Sequence, residues 1–522
     1  MGYSLVKRRK LPISEYQKRF FLEWALAPKE IIYNNSFVKR IVGNLNKEIL
    51  KEACDTFVKR TEIVQAQYSK NGQSCYFGNF SIDDFYKELT FNKNDTIESQ
   101  IKELLYKPFD LTKGPLLRLY LIKNHNNEEE FYFFFVAHHI ICDATWVFQF
   151  FNQIQNFYKI LFNKGEISLD VNNTFTQAVE VEQSVLNSNY KEKAEKFWLD
   201  FINDISLKAD LPYRSDTDII HQDNILADKT GGFIYFDLSS SQTRSLREYA
   251  QQRGTTVFIT LSALYALIIS KYLNQEKFFF SYAVNARARE FIEVPGCFVN
   301  NIPMKLEFDL VNTLDDLIKM IGEQRKTVKP YQIYSFTDII HDQRKYMHRE
   351  TNDVFNIGFS QSYLNNIPFE LQDVTVSSVD ISWSKNSIHE IGLLYDEYLS
   401  DAIKFKIEYR KLLFEENLIK QIVLSFKNVI HDLTVSGKEI LLKNYSVLTP
   451  ESYNRLVYEW NDTYRAYPTD RTLYDLFELQ VERTPDSIAL VYEDRSLTYS
   501  ELNDLSNALA YYIRDEYSAR VG

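Results

Sequence analysis

The sequence predicts an α/β protein in which helices and strands alternate through two successive halves. Three observations carry that reading. Two β-rich runs, 116–123 and 131–139, flank a short polar segment and lead into apolar residues at helical spacing. A comparable alternation returns after residue 256. The composition is 45% hydrophobic and 25% charged over 522 residues, ordinary for a folded globular chain. At roughly 100–200 residues per domain that length makes three or four folding units.

The elements follow in order. Ser14-x-x-Gln17 is a capping box opening a helix with Tyr16, Phe20, Phe21 and Trp24 on one face. A second helix starts at Asn46 and runs to about Arg60, and Glu62 to Tyr68 has strand character. The runs 116–123 and 131–139 are antiparallel neighbours in a buried sheet, followed by a helix carrying Val147, Phe150, Phe151, Ile154, Phe157, Tyr158 and Leu161. In the second half the pattern predicts a helix from Thr256 to Tyr272, strands at 278–284, 300–308, 354–360 and 403–409, and a closing helix over 416–433. No sequence repeat relates the halves. From 443 to 470 the pattern loosens around Thr449-Pro450 and Tyr467-Pro468, a linker signature. Beyond it stand a small hairpin about Glu493-Asp494 and a helix capped by Thr498-x-x-Glu501, with Leu502, Leu505, Leu509 and Tyr512. This last piece is too small for a usual core and reads as cut off.

Composition excludes several functions. With 60 Lys+Arg against 71 Asp+Glu the formal charge is −11, and a nucleic-acid partner would want a basic face. Fifteen glycines are about 3% of the chain, against an average near 7%. No G-x-x-x-x-G-K and no G-x-G-x-x-G occurs, which disfavours a complete nucleotide-binding enzyme. The four cysteines, Cys54, Cys75, Cys142 and Cys297, form no C-x-x-C pair, so no metal site is expected. Lys7-Arg8-Arg9-Lys10 is not followed by a signal-peptide core. The most apolar stretch, 131–151, carries two histidines and an aspartate, which a membrane helix rarely holds at its centre. A cytoplasmic protein with no membrane partner is the expectation.

The chemical signal is His138-His139-Ile140-Ile141-Cys142-Asp143-Ala144. Adjacent strand residues face opposite ways, so one histidine lines a cavity and the other finds partners in the packing. Asp143 sits where a helix N-cap belongs. No G-x-S-x-G elbow makes a serine triad, and no third ligand stands nearby for zinc. A histidine acting on bound substrates remains.

That segment resembles the H-H-x-x-x-D-G signature of condensation domains of nonribosomal peptide synthetases, with Ala144 in place of the glycine. The opening Ser14-Glu15-Tyr16-Gln17-Lys18-Arg19-Phe20 is similar to the family's S-x-x-Q-x-R-L/F. Arg60-Thr61-Glu62-Ile63-Val64 loosely resembles R-H-E-x-L. Phe109-Asp110-Leu111 with Gly114-Pro115-Leu116-Leu117-Arg118 resembles F-D-L-x-x-G-P-L-L-R, and Gly296-Cys297-Phe298-Val299-Asn300-Asn301 resembles G-x-F-V-N-T. The segment Tyr331-Gln332-Ile333-Tyr334-Ser335-Phe336 lacks the histidine, acid and proline of H-Q-D-x-P-F. Trp460-Asn461-Asp462-Thr463, Thr484-Pro485-Asp486 and Leu497-Thr498-Tyr499-Ser500-Glu501-Leu502 resemble the start of an adenylation domain.

The resemblance implies two chloramphenicol-acetyltransferase-like lobes forming a V-shaped pseudo-dimer with a central tunnel. It divides the chain into a tail at 1–10 with a possible docking role, an N-lobe at 11–180, a C-lobe at 181–445, a linker at 446–470 and a truncated adenylation start at 471–522. Donor and acceptor peptidyl carrier proteins would bring thioesters on phosphopantetheine arms, the domain itself binding no cofactor or metal. The donor would come in trans from an upstream synthetase subunit, and an adenylation domain would follow. His139 would be catalytic. His138 would be structural, Asp143 would pair with Arg60, Ala144 would be a tolerated variant beside His139, and Asn300 would stand near the tunnel. Amide bond formation is the implied reaction. The alternatives are a silent module that recruits carriers or tailoring enzymes, and a starter domain that N-acylates a first amino acid.

Overall fold

The structure is a computed structural model that describes residues 10–91, 95–171, 173–203, 205–215, 228–273, 275–348, 354–363, 367–379, 381, 386–397, 401–435 and 439–520. Of the basic N-terminal run, Lys7-Arg8-Arg9 lies outside them. The chain divides into two compact units, 1–447 and 448–522.

The first unit holds a small three-stranded sheet and two larger ones of five and six strands, the larger two each with its own apolar core. Strands of its first part are β1 (Lys10–Pro12), β2 (Asn34–Gly43), β3 (Ala66–Tyr68), β4 (Ser74–Phe77), β5 (Tyr86–Thr90), β6 (Leu117–Lys123) and β7 (Glu130–His138). Helices α1 (Glu15–Leu26), α2 (Lys47–Arg60), α3 (Ile82–Phe85), α4 (Ile97–Leu105), α5 (Ala144–Phe162), α6 (Phe175–Leu186) and α7 (Tyr190–Ile202) accompany them. The second part has strands β8 (Gly231–Asp237), β9 (Lys277–Asn285), β10 (Val299–Glu307), β11 (Ile357–Gln361), β12 (Val374–Val379), β13 (Ile391–Asp396) and β14 (Lys404–Arg410). Its helices are α8 (Ser240–Gln252), α9 (Val257–Tyr272), α10 (Leu314–Val328), α11 (Phe336–Met347) and α12 (Glu416–Val435).

In the first lobe the strand order is β12-β2-β7-β6-β5. Strand β7 is central, and all nine of its residues are buried. Its run of Phe131 to Val136 is what a strand covered on both faces requires. Phe133 and Phe135 meet Phe150 of α5 at ring-centre distances of 6.3 and 4.8 Å. The edge strand β12 comes from the second half of the chain and pairs antiparallel with β2 from Val374↔Gly43 to Val379↔Val38. In the second lobe the order is β10-β9-β11-β13-β14-β8. One face of that sheet packs on α9 and α12, as in Phe359 against Phe258 and Phe405 against Phe426.

Most of the expected elements form as read. Glu62 to Tyr68 does not run as one strand: Glu62–Gln65 is a 3-10 turn before β3. The Glu62 carboxylate accepts from the N–H (2.8 Å) and hydroxyl (2.7 Å) of Thr176 at the start of α6, which draws the segment out of a ladder. Strand β11 begins at Ile357, three residues later than expected. There the Asn356 amide bonds the Ala209 N–H and carbonyl, both at 2.9 Å.

The second unit contains α13 (Pro450–Asn454), a π turn at Arg455–Glu459, α14 (Leu473–Arg483), the hairpin β15 (Ile488–Tyr492) with β16 (Arg495–Thr498), and α15 (Tyr499–Tyr517). Glu493 makes the hairpin turn at φ 54°, a left-handed conformation. None of the described residues in this unit is buried, Leu505 and Leu509 being 56% and 58% exposed. Among the described residues no single helix is long and apolar enough to cross a membrane; α8 and α9 reach that length only as a pair bent by 103°.

Candidate active site

The H-H-x-x-x-D segment leaves the end of β7 and turns into α5. His138, the last residue of the strand, is 3% exposed, and its Nδ1 accepts from the Ile140 N–H at 3.2 Å. Burial pushes its pKa down to about 3, so it is a neutral packing residue. His139 opens a 3-10 turn and faces a cavity of about 270 Å³. Its ring stacks on Phe20 of α1, with centres 4.6 Å apart and planes at 15°. Its N–H donates to the Tyr33 carbonyl at 2.7 Å. Burial holds the imidazole below its ordinary value of 6.5, which keeps it neutral and able to accept a proton.

The opening capping box explains part of this placement. Gln17 donates from Nε2 to the Ile140 carbonyl and to the Tyr68 hydroxyl, both at 2.8 Å, fixing the turn that carries His139. At the helix start, Ser14 Oγ and the Glu15 N–H donate to Glu182 of α6, each at 2.7 Å.

Asp143 is the N-cap of α5 and accepts from the Trp146 N–H at 3.0 Å. Its expected partner, Arg60, is not there. Arg60 ends α2 and turns outward to the Ser168 carbonyl and the Phe157 ring. Asp143 instead takes a two-pronged contact from Arg287, a side chain 1% exposed just beyond β9. The Phe298 N–H adds a fourth bond at 2.9 Å. Arg287 also donates to the carbonyls of Val294 (3.1 Å) and Gly296 (3.0 Å). The carboxylate at the end of the first-lobe motif is thus satisfied by the second lobe. Arg287, and the partner of Glu62, escaped the sequence reading because the paired residues stand 144 and 114 positions apart. The one signal for Arg287 was an arginine two residues beyond an apolar strand, with Arg289 close behind it.

Ala144 is the first residue of α5, with ordinary helical backbone and an exposed side chain. It lines both the His139 cavity and a wider one of about 920 Å³, and the two also share Asp143, Ala283, Val299 and Gln361. Asn300 lies in β10 at 4% exposure and lines the His139 cavity. Its Nδ2 donates to the carbonyls of Gln332 (2.9 Å) and Tyr334 (2.8 Å), and its Oδ1 accepts from the N–H groups of Asn301 and Phe336, both at 3.0 Å. The segment 331–336, uninformative as a motif, is held against the cavity by these bonds. Cys297 is buried with Sγ 4.0 Å from His139 Nδ1. Among the described residues no group of three or more His, Cys, Asp or Glu is placed to hold a metal ion.

Two sheet-and-helix lobes thus flank a neutral, cavity-facing histidine at the end of β7. A family model described as the condensation domain matches residues 7–457, and the chain belongs to that family. It is 27% identical over 524 residues to gramicidin S synthase 2 of Aneurinibacillus migulanus, covering 97% of this chain and 11% of that protein. The chain spans about a tenth of the length of the curated relatives it matches. Its fold is similar to a four-domain nonribosomal peptide synthetase solved in holo form with AMP and glycine, at a TM-score of 0.74 and 17% identity over 97% of this chain and 39% of that one. It is also similar to the X-domain of teicoplanin biosynthesis in complex with OxyB, at 0.69 and 15% over 86% of this chain and 98% of that one.

Proposed function

We propose that this chain joins a donor acyl or peptidyl thioester to the amine of an acceptor aminoacyl thioester, both carried on the phosphopantetheine arms of carrier proteins. The amine nitrogen attacks the donor carbonyl, a C–N bond forms, the C–S bond breaks, and the thiol leaves with a proton. The observation that supports this most is the neutral His139 ring, fixed by Phe20, Tyr33 and the Gln17-held turn and turned into a cavity that meets a second, wider one at Ala144. In that position it orients the attacking amine and takes its proton. A placed general base contributes about 10²–10⁴-fold, and orientation alone supplies roughly 7–11 kcal/mol in well-aligned systems. Asp143, Arg287 and Asn300 hold the walls of the site. The carriers' arms are the only cofactor this reading uses. Residues 446–470 are read as a linker and 471–522 as the beginning of an adenylation domain, the donor as arriving from another synthetase subunit, and the cytoplasm as the working compartment.

The test is a reconstituted transfer with loaded donor and acceptor carriers, comparing the wild type with His139→Ala. Product from the wild type and a loss of about 10² or more in the variant is expected; equal rates would sink the assignment. Running peptidyl-carrier, acyl-carrier and acyl-coenzyme A donors side by side separates ordinary condensation from starter acylation. A second reading, a silent recruitment module, draws on the likeness to an X-domain solved with OxyB. It predicts no product from any donor.

A further inference from the structure

The carboxylate that anchors α1 stands at the head of a buried chain of contacts leading to His139. Glu182 of α6 is 6% exposed, and both of its oxygens are engaged. Oε2 accepts from Ser14 Oγ and Oε1 from the Glu15 N–H, each at 2.7 Å. Ser14 and Gln17 are fully buried. The Ser14 N–H reaches Gln17 Oε1 at 3.4 Å, and Gln17 Nε2 donates to the Ile140 carbonyl at 2.8 Å. A carbonyl only accepts, so that last contact fixes which end of the amide faces the 3-10 turn. His139 is the first residue of the turn and Ile140 the second. The same helix brings Phe20 to the face of the imidazole. Glu182 does not itself line the cavity, yet the helix it anchors holds both the ring and the turn that carries it.

An anion suits that place. The first turn of a helix presents unpaired N–H groups and the positive end of its dipole. Protonation would remove the charge from both bonds and turn one oxygen into a donor, loosening the anchor. The two short bonds do not offset the burial: the carboxyl is pushed up to about 7, with Glu15 raising it further and Lys18 lowering it. Tyr16 of α1 also faces Glu182, with Tyr190 of α7 beside that phenol. Asp338 of α11 bears on Glu15. Glu62 is engaged at Thr176, at the other end of α6, and Lys10 of β1 is exposed.

We propose that Glu182 is a positioning residue for the transfer: ionised, it fixes the first turn of α1 and, through Ser14 and Gln17, the attitude of His139 toward the attacking amine. The inference rests on the amide-forming reading above. As Glu182 takes up a proton the anchor loosens and transfer slows, at a higher pH than the one at which His139 itself protonates.

Two readouts on the full chain test this. The labelled His139 imidazole, followed by NMR without substrate, should show a step near pH 7 besides its own titration below 6.5. His138, Asp143, Arg19 and Cys297 also face that ring, so substitution assigns the step. Glu182→Gln keeps the shape without the charge and should abolish it. Ser14→Ala removes a donor that favours the anion and should move it upward, which decides the matter if Glu182→Gln fails to fold. In transfer between loaded carriers at alkaline pH, Glu182→Gln should lower kcat about 10- to 100-fold, the order that a small misplacement costs, with KM within about twofold. Its rate should then fall with pH only where His139 protonates. A helix cap with no part in positioning would lower the melting temperature and leave the ring titrating in one step. A single step in the wild type, a step near 7 that survives Glu182→Gln or stays put in Ser14→Ala, or an unchanged kcat in Glu182→Gln overturns the role. A step that responds to both substitutions while the wild type forms no amide from any donor leaves the positioning standing and overturns the activity instead.

Discussion

Arg287 grips Asp143 with two parallel bonds, Nη1 to Oδ2 at 2.7 Å and Nη2 to Oδ1 at 2.9 Å, across the seam between the lobes. Both side chains are almost wholly buried, at 1% and 6% exposure. Removing one partner strands a charge in a low dielectric, which costs about 3–5 kcal/mol. Asp143→Ala and Arg287→Met should each lower the melting temperature strongly, and the double variant should lose less than the sum. Additive losses in a thermal double-mutant cycle would show that the two are not coupled.

His139 should titrate late. Burial holds its imidazole below 6.5, so the neutral form extends to lower pH than in a free ring. Followed by NMR of labelled imidazole, its titration midpoint should fall below 6.5, and a midpoint at or above 6.5 would contradict the burial argument.

His138 ties stability to pH. In the folded chain its pKa lies near 3, against 6.5 for the ordinary ring. Between those values the unfolded chain binds a proton that the folded chain refuses, so its contribution is complete above pH 6.5 and shrinks as pH falls toward 3. Melting temperatures measured from pH 7 to 4 should decline, and His138→Asn, which keeps an acceptor for the Ile140 N–H, should flatten that slope.

Asn300 is a structural clamp on the cavity wall. Asn300→Asp turns a carboxylate toward the two carbonyls that Nδ2 now serves. A loss of at least about 1–3 kcal/mol is expected, with the segment 332–336 exchanging its amide hydrogens faster. Unchanged exchange there would show that the clamp is not needed.

Ala144 meets no backbone demand for glycine, since it lies in the first helical turn at ordinary angles. Ala144→Gly should cost up to about 1 kcal/mol of stability and leave the transfer rate within about twofold. A larger gain in rate would mean that the methyl narrows the approach to His139.

Much of the scaffold was legible because it is locally encoded. Helices α2 and α5 announce themselves through Asn46 and Asp143 as caps and through apolar residues every three or four positions. Strand β7 is a run of aromatics that only a doubly covered strand tolerates. That one of His138 and His139 faces the packing and the other a cavity follows from their adjacency at a strand end, whereas which is which came from the motif resemblance alone. What local pattern cannot carry is the identity of distant partners. The pairing of Asp143 with Arg287 and the recruitment of Glu62 by Thr176 join residues 144 and 114 positions apart. Strand β12 was likewise unreadable, since Val374 to Val379 alternates weakly and is half exposed.

The pairing of β12 with β2 has a topological consequence. A chain severed between its two halves would leave β2 with a row of unpaired N–H and C=O groups along Val38 to Gly43, an open edge that recruits any passing strand. Neither half is therefore a self-sufficient building block. The lobes are laced together by a borrowed strand, and whoever exchanges one lobe for that of another synthetase must carry residues 374–379 with the first half, not with the second in which they are written.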